Sequence, residues 1–265
     1  YAWELPKTNP VSKDIVVTQQ SVKSKHLNMG YHRLSPYSKQ AQQVIKEIYQ
    51  DLAKSSSFNG IIFHDDATMS DYEDASVDAL QAYRKQGLPT NLADIRADEK
   101  KLQRWTAFKT QTIDQFALEL ADEVRYYQPF LMTARNLYAQ VALSAYAENW
   151  YAQSLERSLK HYDFTAIMAM PYMEQVENHQ QFFKDLVSRV EKYPNGLKKT
   201  VFEIQAVDWR NRQKVSSEEM AETFKSLYAQ GALHVGYYPD NPIEHHPDPE
   251  TLKAVFDTQS SDLVP

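Results

Sequence analysis

Thr200-Val201-Phe202-Glu203-Ile204-Gln205 reads as a strand whose period of two puts Phe202 and Ile204 on one face and Glu203 and Gln205 on the other. Upstream, Phe182, Leu186 and Val190 recur every four residues, the stripe of an amphipathic helix. Downstream, Ser216 with Glu219 forms a capping box for a second helix that closes before Gly231. A strand framed by helices is the repeating unit of a parallel sheet.

The same alternation extends in both directions. Strands are expected at Gly60 to Asp65, Phe130 to Arg135, Thr165 to Met170 and Ala232 to Tyr237. Helices fill the gaps. Val44, Ile48 and Leu52 mark one after Pro36, and Ser70 with Glu73 is expected to cap another that stops at Gly87. Leu102, Trp105, Ile113, Phe116, Leu120 and Val124 mark a long helix ending before Pro129. With Tyr1 to Leu5 read as the end of a sixth strand, the count falls two short of a closed eight-stranded barrel. The predicted fold is therefore α/β, a (β/α) TIM-type barrel that lacks its first strands in this piece. Residues 1–240 are expected to form that domain, with 6–35 a loop over its top, and 241–265 a proline-richer C-terminal tail.

Composition narrows the function. With 265 residues, 42% of them hydrophobic, the chain can bury a real core. A net charge of −6 gives no basic field to draw nucleic acid or anionic lipid, and favours a neutral or cationic ligand. The lack of cysteine excludes disulfides and thiolate metal sites. Six glycines against 17 tyrosines, 11 phenylalanines and 4 tryptophans suit stacking on sugars or bases better than cradling phosphate. No apolar stretch approaches the roughly 20 residues that span a bilayer. The opening Tyr1-Ala2-Trp3-Glu4-Leu5-Pro6 has neither basic n-region nor cleavage site, so any targeting signal is expected outside this piece.

In such barrels the ligand meets the C-terminal ends of the strands. Those ends are polar here: His64-Asp65-Asp66, Arg135-Asn136, Tyr172-Met173-Glu174, Asp208-Trp209 and Tyr237-Tyr238-Pro239-Asp240. Carboxylates from different strands are what glycoside cleavage requires, and Asp65 and Glu174 are the expected catalytic pair. Asp66 raises the cost of ionising Asp65, which pushes one of them toward the protonated form an acid needs. A structural alternative stands beside this: Asp65 or Asp66 caps the turn or pairs with Arg135. Glu203 on the interior face is either a ligand contact or an ion-pair partner of Arg135. Trp150, Trp209, Tyr172 and Tyr237 are candidate sugar platforms, although single aromatics are more often core. His64-Asp65-Asp66 and the run Asp240, Glu244, His245, His246, Asp248 contain metal-ligand types without zinc-site spacing, so no metal and no cofactor are expected, and His245-His246 reads as surface loop. No Gly-x-Ser-x-Gly elbow is present.

Phe63-His64-Asp65-Asp66-Ala67, Ser70-Asp71-Tyr72-Glu73-Asp74-Ala75, Thr133-Ala134-Arg135-Asn136, Ala166-Ile167-Met168-Ala169-Met170-Pro171-Tyr172 and Gly236-Tyr237-Tyr238-Pro239-Asp240-Asn241 together resemble the C-terminal glycoside hydrolase domain of the PgaB family of poly-β-1,6-N-acetyl-D-glucosamine N-deacetylases. The resemblance runs from Tyr1 to about Asn241. It implies a two-domain protein whose upstream metal-dependent domain removes acetyl groups and whose barrel binds, and can cut, the partly deacetylated polymer. It also implies a periplasmic, outer-membrane-associated location, an export porin as a possible partner, and no nucleic acid. By matching motif positions it makes Asp65 the catalytic aspartate, Trp150 a groove tryptophan and Glu174 a second acidic site residue, while Val207 to Gln213, around Trp209, departs from the pattern. His64, Asp66, Arg135, Asn136, Tyr172, Glu203, Tyr237 and Asp240 complete the expected sugar-binding set, with the acidic residues accepting charge-assisted hydrogen bonds from ammonium groups. The competing expectation is a non-catalytic module that holds and escorts the polymer.

Overall fold

The computed structural model describes residues 33–262. In chain order they form α1 (Lys39–Ser55), β1 (Gly60–Phe63), α2 (Val77–Lys85), α3 (Leu92–Arg96), α4 (Glu99–Arg125), β2 (Met132–Tyr138), α5 (Ala139–Leu143) and, after a 3-10 turn, α6 (Glu148–Tyr151). There follow α7 (Leu155–His161), β3 (Phe164–Met168), α8 (His179–Glu191), α9 (Gly196–Lys199), β4 (Thr200–Gln205), the short pair β5 (Val207–Asp208) and β6 (Gln213–Lys214), α10 (Ser217–Ala229), β7 (His234–Tyr238) and α11 (Pro249–Asp262). The chain divides into two compact units: residues up to Ala134 with Ser144–Ser154, and Arg135–Leu143 with Leu155 onward.

In the first unit α4 is the central support. Asp98 caps it by accepting from Lys101 N, and its stripe of Leu102, Trp105, Ile113, Leu120 and Val124 is buried. Trp105 and Leu102 close a small core with Tyr83, Leu92 and Ile95. On the other side Lys46 and Gln50 of α1 reach Glu119 and Glu123 of α4 at 2.9 and 2.7 Å. The inner face of α1 is set by Ala41 and Ala53, whereas Leu52 is 44% exposed, so the expected stripe through Val44, Ile48 and Leu52 is rotated from the true one. β1 enters beside the first residues of β2, where Met132 N donates to Asn59 O.

The second unit is built on parallel strands in the order β2-β3-β4-β7. Thr165 pairs with Thr200, and Val201 with His234. Phe202 and Ile204 are buried in one core with Ile167, with Leu186 and Val190 of α8, and with Met220, Phe224 and Leu227 of α10. Ser216 caps α10 through Glu219 N, as the sequence predicts. After Asp240 the chain carries α11, which packs Leu252 and Val255 into the same core.

Three expectations are corrected. Ser70 and Glu73 do exchange hydrogen bonds, but no helix starts there; α2 starts at Val77, capped by Ser76, because Glu73 is taken by Arg33 and Asp74 by Ser35. β2 begins at Met132 and runs to Tyr138, so Arg135 and Asn136 lie within the strand and are buried rather than at its end. His246 is buried, with its Nε2 2.9 Å from Ala206 O, while His245 is exposed. The expected strand at Tyr1 to Leu5 and all but the end of the expected loop 6–35 lie outside the described residues.

Candidate functional site

In the first unit β1 ends at Phe63 and hands the chain to His64-Asp65-Asp66. Asp65 is buried; His64 Nδ1 lies 2.5 Å from its Oδ1 and 3.6 Å from Asp66 Oδ2. At those distances a protonated His64 ring attracts both carboxylates by charge. The segment around α6 joins this loop directly. Tyr151 O accepts from Met69 N and from Thr68 Oγ1, and Gln153 Nε2 donates to Asp65 O at 3.3 Å. The structure thus brings the Trp150 segment onto the Asp65 loop across more than 80 residues of chain. Trp150 is 45% exposed, with Tyr146 edge-on at 5.5 Å, so two aromatic rings offer faces to solvent. Beside His64 and Asp66 a cavity of about 120 Å³ is walled by Ile45, Tyr49, Ile113, Phe116 and Leu120. Arg33, His64, Asp66 and Thr68 add polar groups to that otherwise apolar lining.

His64, Asp65 and Asp66 bring one nitrogen and two carboxylate oxygens within 4.8 Å of one another, among the described residues the group with the composition of a cation site. Its nitrogen already stands at hydrogen-bonding distance from Asp65.

In the second unit Asn136 Nδ2 donates to Glu203 Oε2 at 2.8 Å, which gives the interior carboxylate of β4 its partner. Gln205 serves structure: its Oε1 accepts from Met173 N and its Nε2 donates to Val207 O, tying the loop after β3 to the end of β4. That loop carries Glu174, half-buried, with Gln140 Nε2 donating to its Oε2 at 2.6 Å. Burial pushes the Glu174 carboxyl up, and Gln140 opposes this in part. Such a group holds its proton further toward neutrality than an ordinary glutamate.

The aromatic candidates separate. Tyr172 donates its hydroxyl to Glu219 at 2.6 Å and meets the His179 ring edge-on; burial and then Glu219 push its phenol up to about 12. Trp209, on the turn between β5 and β6, is 40% exposed and lies 6.4 Å from the exposed Tyr238 ring at a 31° tilt. Asp208 anchors the same turn through a two-point contact with Arg210. Tyr237 donates to the exposed Asp240 at 3.3 Å. Arg135 is buried and donates to Asn136 O. Tyr146, Gln140 and Gln153 were not singled out in the sequence, and Tyr238 stood there within the strand-end run Tyr237–Asp240 without a role of its own. Tyr238 alone had a signal there, as the neighbour of Tyr237 with opposite parity along β7.

The family model described as hypothetical glycosyl hydrolase family 13 matches residues 1–238. The poly-β-1,6-N-acetyl-D-glucosamine N-deacetylases of Escherichia coli K12 and O157:H7 are each 37% identical over 234 residues, 86% of this chain but 35% of theirs, so the chain spans about a third of the length of these curated relatives. The structure of the PgaB (BpsB) glycoside hydrolase domain from Bordetella bronchiseptica superposes with a TM-score of 0.88 at 42% identity, covering 94% of this chain and 71% of that one. The fold is accordingly a partial TIM-type (β/α) barrel. The β-galactosidase of Rahnella sp. R3, at 12% identity and a TM-score of 0.58 over 94% of this chain and 44% of its own, shares the fold alone.

Proposed function

The chain belongs to hypothetical glycosyl hydrolase family 13, and on that premise we propose that it is an endo-glycosidase acting on partly de-N-acetylated poly-β-1,6-N-acetyl-D-glucosamine. The observation that carries this reading is Glu174, a half-buried carboxyl raised by its surroundings and held at 2.6 Å by Gln140. A proton donor to a glycosidic oxygen needs those properties.

Glu174 protonates the leaving oxygen as the bond breaks. Asp65, in the loop that follows β1, is the second carboxyl that this reading assigns to the reaction. Trp150 with Tyr146, and Trp209 with Tyr238, take sugar faces. Asp66, Glu203 and Asp240 accept from the ammonium groups that deacetylation exposes. The names of the E. coli relatives support the polymer assignment. We place the domain in the periplasm at the outer membrane, working with a deacetylase domain of the same protein and passing product toward an export porin.

The test is a digest of the partly deacetylated polymer with the parent chain, Asp65→Asn and Glu174→Gln, read by mass spectrometry, with polymer binding measured in parallel. Short oligosaccharides from the parent and none from the variants, with binding retained, are expected. Binding without products from any of the three would replace this reading with that of a polymer-holding module.

A further inference from the structure

Lys109 on α4 is fully buried, with none of its surface exposed. Its Nζ donates to Ser70 O at 2.5 Å and to Glu73 O at 2.9 Å, and lies 3.7 Å from the centre of the Trp105 ring. A buried amine is costly unless its donors are used, and a methionine would fill the same space without that cost. The core of α4 therefore does not explain the amine. Its acceptors do, since both belong to the loop 64–76 that opens with His64-Asp65-Asp66.

One turn earlier on α4, Thr106 Oγ1 donates to Asn149 Oδ1 at 2.6 Å, next to Trp150. Positions i and i+3 of a helix lie on one face. One face of α4 thus grips both segments of the first-unit site from beneath: the carboxylate loop through Lys109, and the tryptophan segment through Thr106. The loop's own acids have other partners, Arg33 for Glu73, Arg96 for Asp71 and Ser35 for Asp74, while the bonds of Lys109 to Ser70 O and Glu73 O go to backbone and set the loop's path.

We propose that Lys109 is a positioning residue: its amine fixes the arc from Ser70 to Glu73, and through that arc the placement of His64-Asp65-Asp66 beside Trp150. The proposal rests on the reading of Asp65 as a functional residue, so its test begins with a measurement independent of cleavage. Amide hydrogen exchange is followed in the parent, in Lys109→Met, and in Lys109→Cys alkylated with 2-bromoethylamine under denaturing conditions and refolded. Because the chain has no cysteine of its own, alkylation restores an amine at that one position. The parent is carried through the same treatment.

Lys109→Met is expected to speed exchange in residues 66–76 by tenfold or more while α8 and α10 keep the parent's protection, and the restored amine should slow it again. Where polymer cleavage is measured, kcat should fall several-fold with KM little changed, and recover with the amine. Loop protection unchanged in Lys109→Met, or lost equally in α8 and α10, overturns the proposal. If Lys109→Met does not fold, Lys109→Gln, which keeps an N–H donor, serves in the same comparison. A parent that cuts no polymer yet shows the expected exchange pattern leaves the positioning role standing and removes the glycosidase reading.

Discussion

A carboxyl that must deliver a proton works only if its surroundings keep that proton on until the bond breaks. At Glu174 burial raises the carboxyl and the Gln140 bond lowers it. Gln140→Met removes the lowering contact, so the alkaline limb of the pH–rate profile for polymer cleavage is expected to move to higher pH with activity retained. A limb that stays in place would take Glu174 out of the proton-donor role. Glu174 was legible in the sequence because it follows Pro171-Tyr172 at a strand end, whereas Gln140 lies 34 residues away and carries no motif. Asp65 and Trp150 were likewise legible, but their joining was not, since it depends on backbone bonds to Tyr151 O and on the Gln153 amide. Local pattern reveals residue types at strand ends; it does not reveal contacts closed by neutral side chains from distant segments.

β4 and α10 are the elements that local physics specifies most completely. The alternation in Thr200–Gln205 predicts both the strand's limits and its buried face, and Phe202, fully buried, is the largest apolar residue on that face. Phe202→Ala should cost about 3–5 kcal/mol of unfolding free energy. Ser216→Ala, which removes the side-chain acceptor for Glu219 N, should cost about 1 kcal/mol. Urea unfolding of the two variants checks both, and losses of equal size would mean that burial and capping are not separable here. The Ser70–Glu73 box shows where such reasoning fails. The motif forms locally, but Arg33 and Lys109 draw its polar groups into a loop, and a long-range ion network overrides the helix start. The eclipsed reading of α1 has a similar origin, since the small residues Ala41 and Ala53 occupy the contact face and leave the larger Leu52 outside.

For the molecule as a whole, charge makes two predictions. A chain of net charge −6 should bind the deacetylated polymer more weakly as salt rises from about 0.05 to 0.5 M, because screening shortens the reach of its acids toward ammonium groups. Fully acetylated polymer should show little of that dependence, and an equal loss for both polymers would remove the ammonium contacts from the recognition scheme. The second prediction concerns stability. Burial pulls the Lys109 ammonium down to about 7 from the ordinary 10.5, against the raising fields of Glu73, Asp71 and Asp74 and with the lowering field of Arg33. Between those two values the unfolded chain binds a proton that the folded chain lacks. The contribution of Lys109 to stability therefore rises with pH from about 7 upward, and below it the full cost of burying the charge is present. The neutral amine still has two N–H groups for the carbonyls of Ser70 and Glu73, so the loop contacts survive the loss of charge. Lys109→Met lacks this titration and leaves the two carbonyls without that donor at every pH. Its melting temperature should fall least below the parent's at pH 6 and most at pH 9. A deficit that does not change with pH would mean that the lysine keeps its charge throughout, and that the folded state meets the cost of burial through its acidic neighbours.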